Sequence, residues 1–213
     1  MAQEKTNVII LGGGIVGSLL SVILGSNGLS VFLVEKKSLE DLGSDYYDGR
    51  SYALNEGTKN LLDFLGIWDE IKEKVQSVSK VLLQQGIETS RPQPVELSLF
   101  DYEIDNNSVF YMIEDRFLRK VILNKVKKES NISYLTSKVV EKQCIVGGLI
   151  EITLSSGIIL KGNIAIGADG FPSRSAGRAK VGNFGWTYNQ SSIVGVVRHE
   201  NSHANEAIQF FLP

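Results

Sequence analysis

The sequence predicts an α/β protein that opens with a parallel strand–helix–strand unit, and three observations predict it. A short apolar run, Asn7 to Leu11, leads directly into glycines; an uncharged helical stretch, Ile15 to Leu24, follows; and Ser30 to Val34 returns as a second apolar run. Uninterrupted apolar runs suit strands buried on both faces of a parallel sheet. Gly25-Ser26-Asn27-Gly28 supplies the stop that a helix needs between them. Strand, glycine turn, helix, strand is a βαβ unit, so the amino-terminal fold is Rossmann-like.

Beyond Glu35 the regular alternation stops. Residues 37–57 are polar, rich in Gly, Asp, Ser and Tyr, and without periodicity, which predicts a long functional loop. A helix is expected from about Thr58, with Leu61, Leu62 and Leu65 inward and Gly66 as its stop. Residues 78–112 read as strands, with Val95, Leu97 and Leu99 alternating against polar neighbours. Glu114 to Lys128 places Phe117, Leu118, Val121, Ile122 and Val126 at helical spacing, with acids first and lysines last as the helix dipole favours. From Ile132 to Ala168, short apolar runs broken by Val146-Gly147-Gly148 and Ser155-Ser156-Gly157 predict a β-meander whose last run, Ile164 to Ala168, meets Asp169-Gly170. Ser191 to Val197 and Ala207 to Leu212 read as further strands.

Composition narrows the function classes. Of 213 residues, 43% are hydrophobic, enough for a real core, and 22 Lys and Arg against 24 Asp and Glu give a net charge of -2. That balance offers no electrostatic basis for binding nucleic acid. The single cysteine, Cys144, forbids an intrachain disulfide, and a reducing cytoplasm is the expected compartment. Val8 to Leu24 is apolar enough to imitate a signal peptide, but its clustered glycines, the cancelling Glu4 and Lys5 before it, and the apolar run after it argue against one. Any membrane contact is expected to be peripheral. His199 and His203 sit in strand-end and loop surroundings, so no metal site is assigned.

The chemistry-bearing signal is Gly12-Gly13-Gly14-Ile15-Val16-Gly17, a GxGxxG between a strand and a helix. Gly12 permits the tight turn, Gly14 lets a pyrophosphate approach the backbone, and Gly17 lets helix pack on strand; the helix start supplies N–H donors and positive potential. Glu35 ends the second strand about twenty residues beyond, where a carboxylate accepts both ribose hydroxyls of an adenosine and repels a 2′-phosphate. With Lys36 beside it, this is a site for FAD or NAD, and periodicity alone leaves the two open.

Several segments resemble the class A flavoprotein monooxygenases. Gly12 to Glu35 resembles their FAD fingerprint, Asp48-Gly49-Arg50-Ser51-Tyr52-Ala53-Leu54 their arginine segment, and Gly167-Ala168-Asp169-Gly170-Phe171-Pro172-Ser173 their GADGxxS motif. Leu65-Gly66-Ile67-Trp68, Trp186-Thr187-Tyr188-Asn189-Gln190 and Ala207-Ile208-Gln209-Phe210-Phe211-Leu212-Pro213 resemble the ubiquinone-biosynthesis hydroxylases within that group. The resemblance implies a para-hydroxybenzoate-hydroxylase-like fold. Residues 1–75 and 113–180 would form its FAD-binding domain with a β-meander, and residues 76–112 and 181–213 an incomplete β-rich substrate domain.

The resemblance also implies FAD as cofactor and NAD(P)H as co-substrate. One oxygen of O₂ is placed on a polyprenylated phenol, in a cytoplasmic protein that can touch the inner membrane. Arg50 would neutralise the pyrophosphate, and Asp169 and Gly170 would sit beneath it. Asp115 stands where the family has an Asn or Gln near the ribityl chain, and Ala176 replaces an arginine, with Arg174 and Arg178 nearby. Nothing matches the second Gly-Asp motif of the family, so the chain is expected to be an amino-terminal part, completed by a carboxy-terminal half or by other proteins of ubiquinone biosynthesis. A flavin dehydrogenase or reductase of the same fold and a non-catalytic nucleotide-binding fragment are the competing readings. Arg119, Lys120, Lys125, Lys127 and Lys128 make the helix expected over Glu114 to Lys128 basic, which reads first as a solvated face, with membrane contact as the alternative.

Overall fold

A computed structural model describes residues 3–85, 108–182 and 184–211. The chain divides into two compact units, Met1–Tyr46 with Leu118–Ser191, and Tyr47–Phe117 with Ser192–Pro213.

The first unit is built on a six-stranded sheet. Its strands are β1 (Gln3–Leu11), β2 (Val31–Val34), β7 (Ile132–Leu135), β8 (Val140–Val146), β9 (Leu149–Leu154) and β10 (Ile159–Gly167), in the order β7-β2-β1-β10-β9-β8. Strands β7, β2, β1 and β10 are mutually parallel, while β8, β9 and β10 form the antiparallel meander. The expected meander therefore begins at β8, because β7 leaves it to extend the parallel edge beside β2. β1 is central, with Val8, Ile9, Ile10 and Leu11 paired to Val31, Phe32, Leu33 and Val34 on one side and to residues 164–167 on the other.

All four residues of β2 are buried, as both-face coverage requires. Ile9, Leu11, Phe32 and Val34 pack with Ile152, Leu154 and Leu160 into one core cluster. Helix α1 (Ile15–Ser26) follows β1 and ends in a Schellman motif, in which Gly28, at φ 82°, donates to Gly25 O and Leu29 donates to Leu24 O.

The second unit holds a three-stranded antiparallel sheet, β3 (Ser51–Leu54), β6 (Phe110–Glu114) and β4 (Gln76–Val78), and a parallel pair, β5 (Lys80–Gln85) with β11 (Glu206–Phe211). Two short elements interrupt the loop expected over residues 37–57. In the first unit, α2 (Leu39–Gly43) is nucleated by a capping box, with Ser38 accepting from Asp41 N and Asp41 returning a bond to the Ser38 backbone. In the second unit, β3 exists because β6 pairs with it, Tyr52 opposite Ile113.

Helix α3 (Glu56–Phe64) starts two residues before the expected Thr58, since Asn55 caps it through Thr58 N. Leu62 faces inward as expected, but Leu61 is 36% exposed, a correction to the inward set. Gly66 stops the helix as expected, at φ 62°, with Ile67 N donating to Leu62 O. Two very short helical turns follow, α4 (Trp68–Ile71) among them.

Helix α5 (Asp115–Lys128) fulfils the spacing read from the sequence, with Leu118, Ile122, Leu123 and Val126 buried. Ser191 to Val197, expected as a strand, has no regular structure and pairs with no strand among the described residues, and Ile193, Val194, Val196 and Val197 are exposed. An apolar run becomes a strand only where a partner backbone satisfies its N–H and C=O groups, and the described residues supply none there. Val95, Leu97, Leu99, Leu212 and Pro213 lie outside the described residues. Among the described residues no helix is long and apolar enough to cross a membrane.

Candidate dinucleotide site

At the carboxyl ends of β1, β2 and β10 three chain segments are knitted together. Gly12 N donates to Val34 O at 2.8 Å, and Ala168 N donates to Leu11 O at 2.8 Å, so the glycine turn is held between β2 and the Asp169 loop. In an open parallel sheet this end is where ligands gather. Gly12 has φ 115°, and a Cβ there would strike the Ala168 carbonyl. A Cβ on Gly17 would strike the Gly12 carbonyl, so the first turn of α1 lies directly on the loop. Gly14 differs: it is exposed, its φ is -68°, and a Cβ would meet nothing within 4 Å. The tight glycines make the turn, and Gly14 leaves open space in front of it.

That space faces the start of α1. Gly14 is the N-cap and offers no side-chain acceptor, and the first turn holds no acid. The N–H groups of Ile15, Val16 and Gly17 have no intrahelical acceptor at this position, and Val16 is exposed beside them. Unsatisfied donors and the positive end of the helix dipole together suit an anionic oxygen.

Glu35 is buried at the end of β2. Its Oε2 accepts from Gly13 N at 2.7 Å and its Oε1 from Lys37 N at 2.8 Å. Each carboxylate oxygen carries a second lone pair, so the group can still accept a ligand hydroxyl on either oxygen. Lys36 is exposed next to it. Asp169 is committed to the chain itself: Oδ1 accepts from Ser173 Oγ at 2.7 Å and Ser175 Oγ at 2.9 Å, and Oδ2 from Ser175 N at 2.8 Å. Burial pushes the Asp169 carboxyl upward, but these hydrogen bonds outweigh it and hold the group below the usual carboxylate range. Gly170, at φ 75°, is exposed and turns the chain into α6 (Arg174–Arg178).

In the second unit, Arg50 and Asp115 form their own cluster. The Arg50 guanidinium binds Asp48, with Nε to Oδ2 at 2.8 Å, and stands 3.6 Å from Asp115 Oδ2. Asp115 is buried; the Tyr52 hydroxyl donates to its Oδ1 at 2.9 Å, and its own N–H donates to Arg50 O. The acid at this position is thus accommodated by a cation and a hydroxyl. Near α6, Arg178 donates to Val140 O at 2.6 Å, which fixes it to the meander.

Three residues escaped the sequence reading. Gly13 is needed because a Cβ would stand 2.8 Å from Glu35 Cβ and 2.6 Å from the Tyr134 hydroxyl. Ser18 is buried and ties α1 back through Oγ to Gly13 O at 3.0 Å. Tyr134 reaches the turn from β7, a partner no local spacing announces.

The family model described as an FAD binding domain matches residues 5–127. The chain belongs to this FAD-binding domain family. Among similar proteins, the ubiquinone hydroxylase UbiL of Rhodospirillum rubrum is 30% identical over 213 residues, covering 100% of this chain and 48% of that protein. The 3-demethoxyubiquinol 3-hydroxylase of Escherichia coli is 24% identical over 214 residues, covering 100% of this chain and 54% of that protein. The mitochondrial ubiquinone biosynthesis monooxygenase COQ6 of Rattus norvegicus is 29% identical, covering 97% and 46%. The chain therefore spans about half the length of the curated relatives it matches.

Among solved structures, PqsL, a probable FAD-dependent monooxygenase from Pseudomonas aeruginosa, superposes with a TM-score of 0.69 at 19% identity, over 87% of this chain and 48% of that one. The p-nitrophenol 4-monooxygenase PnpA of Pseudomonas putida gives 0.69 at 20% identity, over 88% and 46%. These likenesses establish the α/β fold of the FAD-binding domain that the sequence predicted.

Proposed function

We propose that this chain is the FAD-holding part of a monooxygenase that hydroxylates a polyprenylated phenol in ubiquinone biosynthesis, using NAD(P)H and O₂. The observation that carries the reading is the open face of Gly14 at the start of α1, in a chain whose relatives along its whole length include ubiquinone hydroxylases. FAD, when bound, supplies the redox chemistry.

The chain's own residues bind and orient the cofactor. The N–H groups of Ile15, Val16 and Gly17 accommodate the pyrophosphate, with Gly12 and Gly14 giving it room. Glu35 accepts from the adenosine ribose and disfavours a 2′-phosphate, with the exposed Lys36 alongside. Arg50 offsets pyrophosphate charge, for which it exchanges part of its contact with Asp48. Asp115, kept in place by Tyr52, accepts from the ribityl hydroxyls, and Asp169 with Gly170 shapes the floor of the site.

In this reading residues 1–75 and 113–180 hold the flavin, and residues 76–112 and 181–213 contribute to the substrate domain. A carboxy-terminal half, on the same or another polypeptide, closes the site. The protein works in the cytoplasm, and the basic face of α5 gives it peripheral contact with the inner membrane.

FAD titration of the purified chain, followed by flavin fluorescence against a parallel NAD titration, tests the reading. FAD binding in preference to NAD, weakened in both Glu35→Ala and Arg50→Ala, is expected. A folded chain that binds neither nucleotide, or NAD alone, overturns it.

A further inference from the structure

The hydroxyl oxygen of Tyr134 is sealed from solvent and has no hydrogen-bond partner among the described residues. It lies over Gly13, 2.6 Å from where a Cβ on that residue would stand, on the same side as Glu35 Cβ. Burial, and secondarily the Glu35 charge, push this phenol well above its usual range, so it is a neutral donor at physiological pH. An orphaned buried hydroxyl is destabilising, and a phenylalanine would fill the same volume without that cost. Its use must therefore lie in another state of the site. Gly13 N–H and Glu35 Oε2 are bonded to each other in the structure, and the Tyr134 hydroxyl stands against the same glycine. A phenol can accept one hydrogen bond and donate another, so it can bridge those two groups if they part.

We propose that Tyr134 is a positioning residue of the dinucleotide site, acting through Glu35: when an adenosine ribose engages the carboxylate, the Tyr134 hydroxyl accepts the Gly13 N–H and donates to Glu35. The carboxylate then keeps a partner on the protein side while its lone pairs turn to the ribose hydroxyls. The inference rests on the proposed adenosine-binding role of Glu35 and adds a residue to it.

The test is Tyr134→Phe in the full chain, titrated with ADP and with 2′-deoxy-ADP and melted without ligand. Unliganded melting is expected to be unchanged or raised, because an unsatisfied group is gone. ADP affinity is expected to fall at least about tenfold, the lower end of the worth of one hydrogen bond to a charged group. The preference for ADP over 2′-deoxy-ADP is expected to shrink with it. That preference is a ratio within one variant, so a general loosening of the fold does not move it. An undiminished preference in Tyr134→Phe, beside a native chain that binds ADP, overturns the inference alone. A native chain that binds neither ADP nor FAD overturns the inference together with the proposed function.

Discussion

Single glycines in the turn after β1 answer to different forces, and substitution separates them. Gly17 is constrained by packing: a methyl group there meets the Gly12 carbonyl, which is backbone and cannot rotate away. Gly14 is constrained by nothing in the folded chain, since its φ suits any residue and its Cβ direction is empty. Gly17→Ala is therefore expected to lose about 1–3 kcal/mol of stability, the usual result of overpacking. Gly14→Ala is expected to unfold at an unchanged urea midpoint yet bind FAD less tightly, because its methyl group occupies the space before the helix start. Urea denaturation and FAD titration of both variants read the contrast. Equal loss of stability in the two would place Gly14 among the packing glycines and remove the ligand space from the argument. The same residue scale shows the limits of sequence. Gly12, Gly14, Gly17 and Glu35 were legible because their spacing follows from one local unit. Gly13 and Tyr134 were not, because the constraint between them crosses from the turn after β1 to β7.

Among elements, those with long periodic patterns were legible and those made by pairing were not. β1, α1, β2 and α5 announced themselves through uninterrupted apolar runs or helical spacing. β3 has four residues of mixed burial and depends on β6, while Ser191 to Val197 has the apolar run of a strand and no strand partner among the described residues. The Asp169 motif was legible as a strand end but not as a cap. Asp169 and Ser173 together organise the first turn of α6, with Ser173 accepting from Ala176 N at 3.1 Å and Asp169 holding both Ser173 and Ser175. Since the Asp169 carboxyl is depressed in the folded chain, its stabilisation is present above the ordinary aspartate range near about pH 3.9. It fades as pH falls through the lower folded value. Asp169→Asn is thus expected to be less stable than the native chain at neutral pH, with the gap narrowing between about pH 5 and about pH 2. Urea midpoints across that range check it, and a gap independent of pH would mean that the carboxylate charge contributes nothing to the cap.

At the scale of the whole molecule, the distribution of apolar surface is uneven. β2 and the carboxyl half of β1 are fully buried, whereas Phe184, Trp186, Tyr188, Ile193, Val194, Val196 and Val197 are largely exposed, as are Phe210 and Phe211 on β11. Phe184, Trp186 and Tyr188 stand at alternate positions with their rings edge to face, centroids 6.5 and 6.2 Å apart, so they present a continuous aromatic strip rather than scattered side chains. Strips of this kind drive association when nothing covers them. The β5–β11 pair adds to this, since among the described residues it is a parallel two-stranded sheet with unpaired backbone edges. A net charge of only -2 on 213 residues gives little repulsion to oppose contact. The purified chain is therefore expected to associate reversibly as its concentration rises. Phe184→Ser combined with Trp186→Ser should lower that association without changing FAD affinity, because the strip and the glycine turn are separate features of the chain. Sedimentation over a hundredfold range of concentration, on the native chain and the double variant, measures it. A native chain that stays monomeric throughout would show that these aromatic side chains are covered in solution by the chain itself.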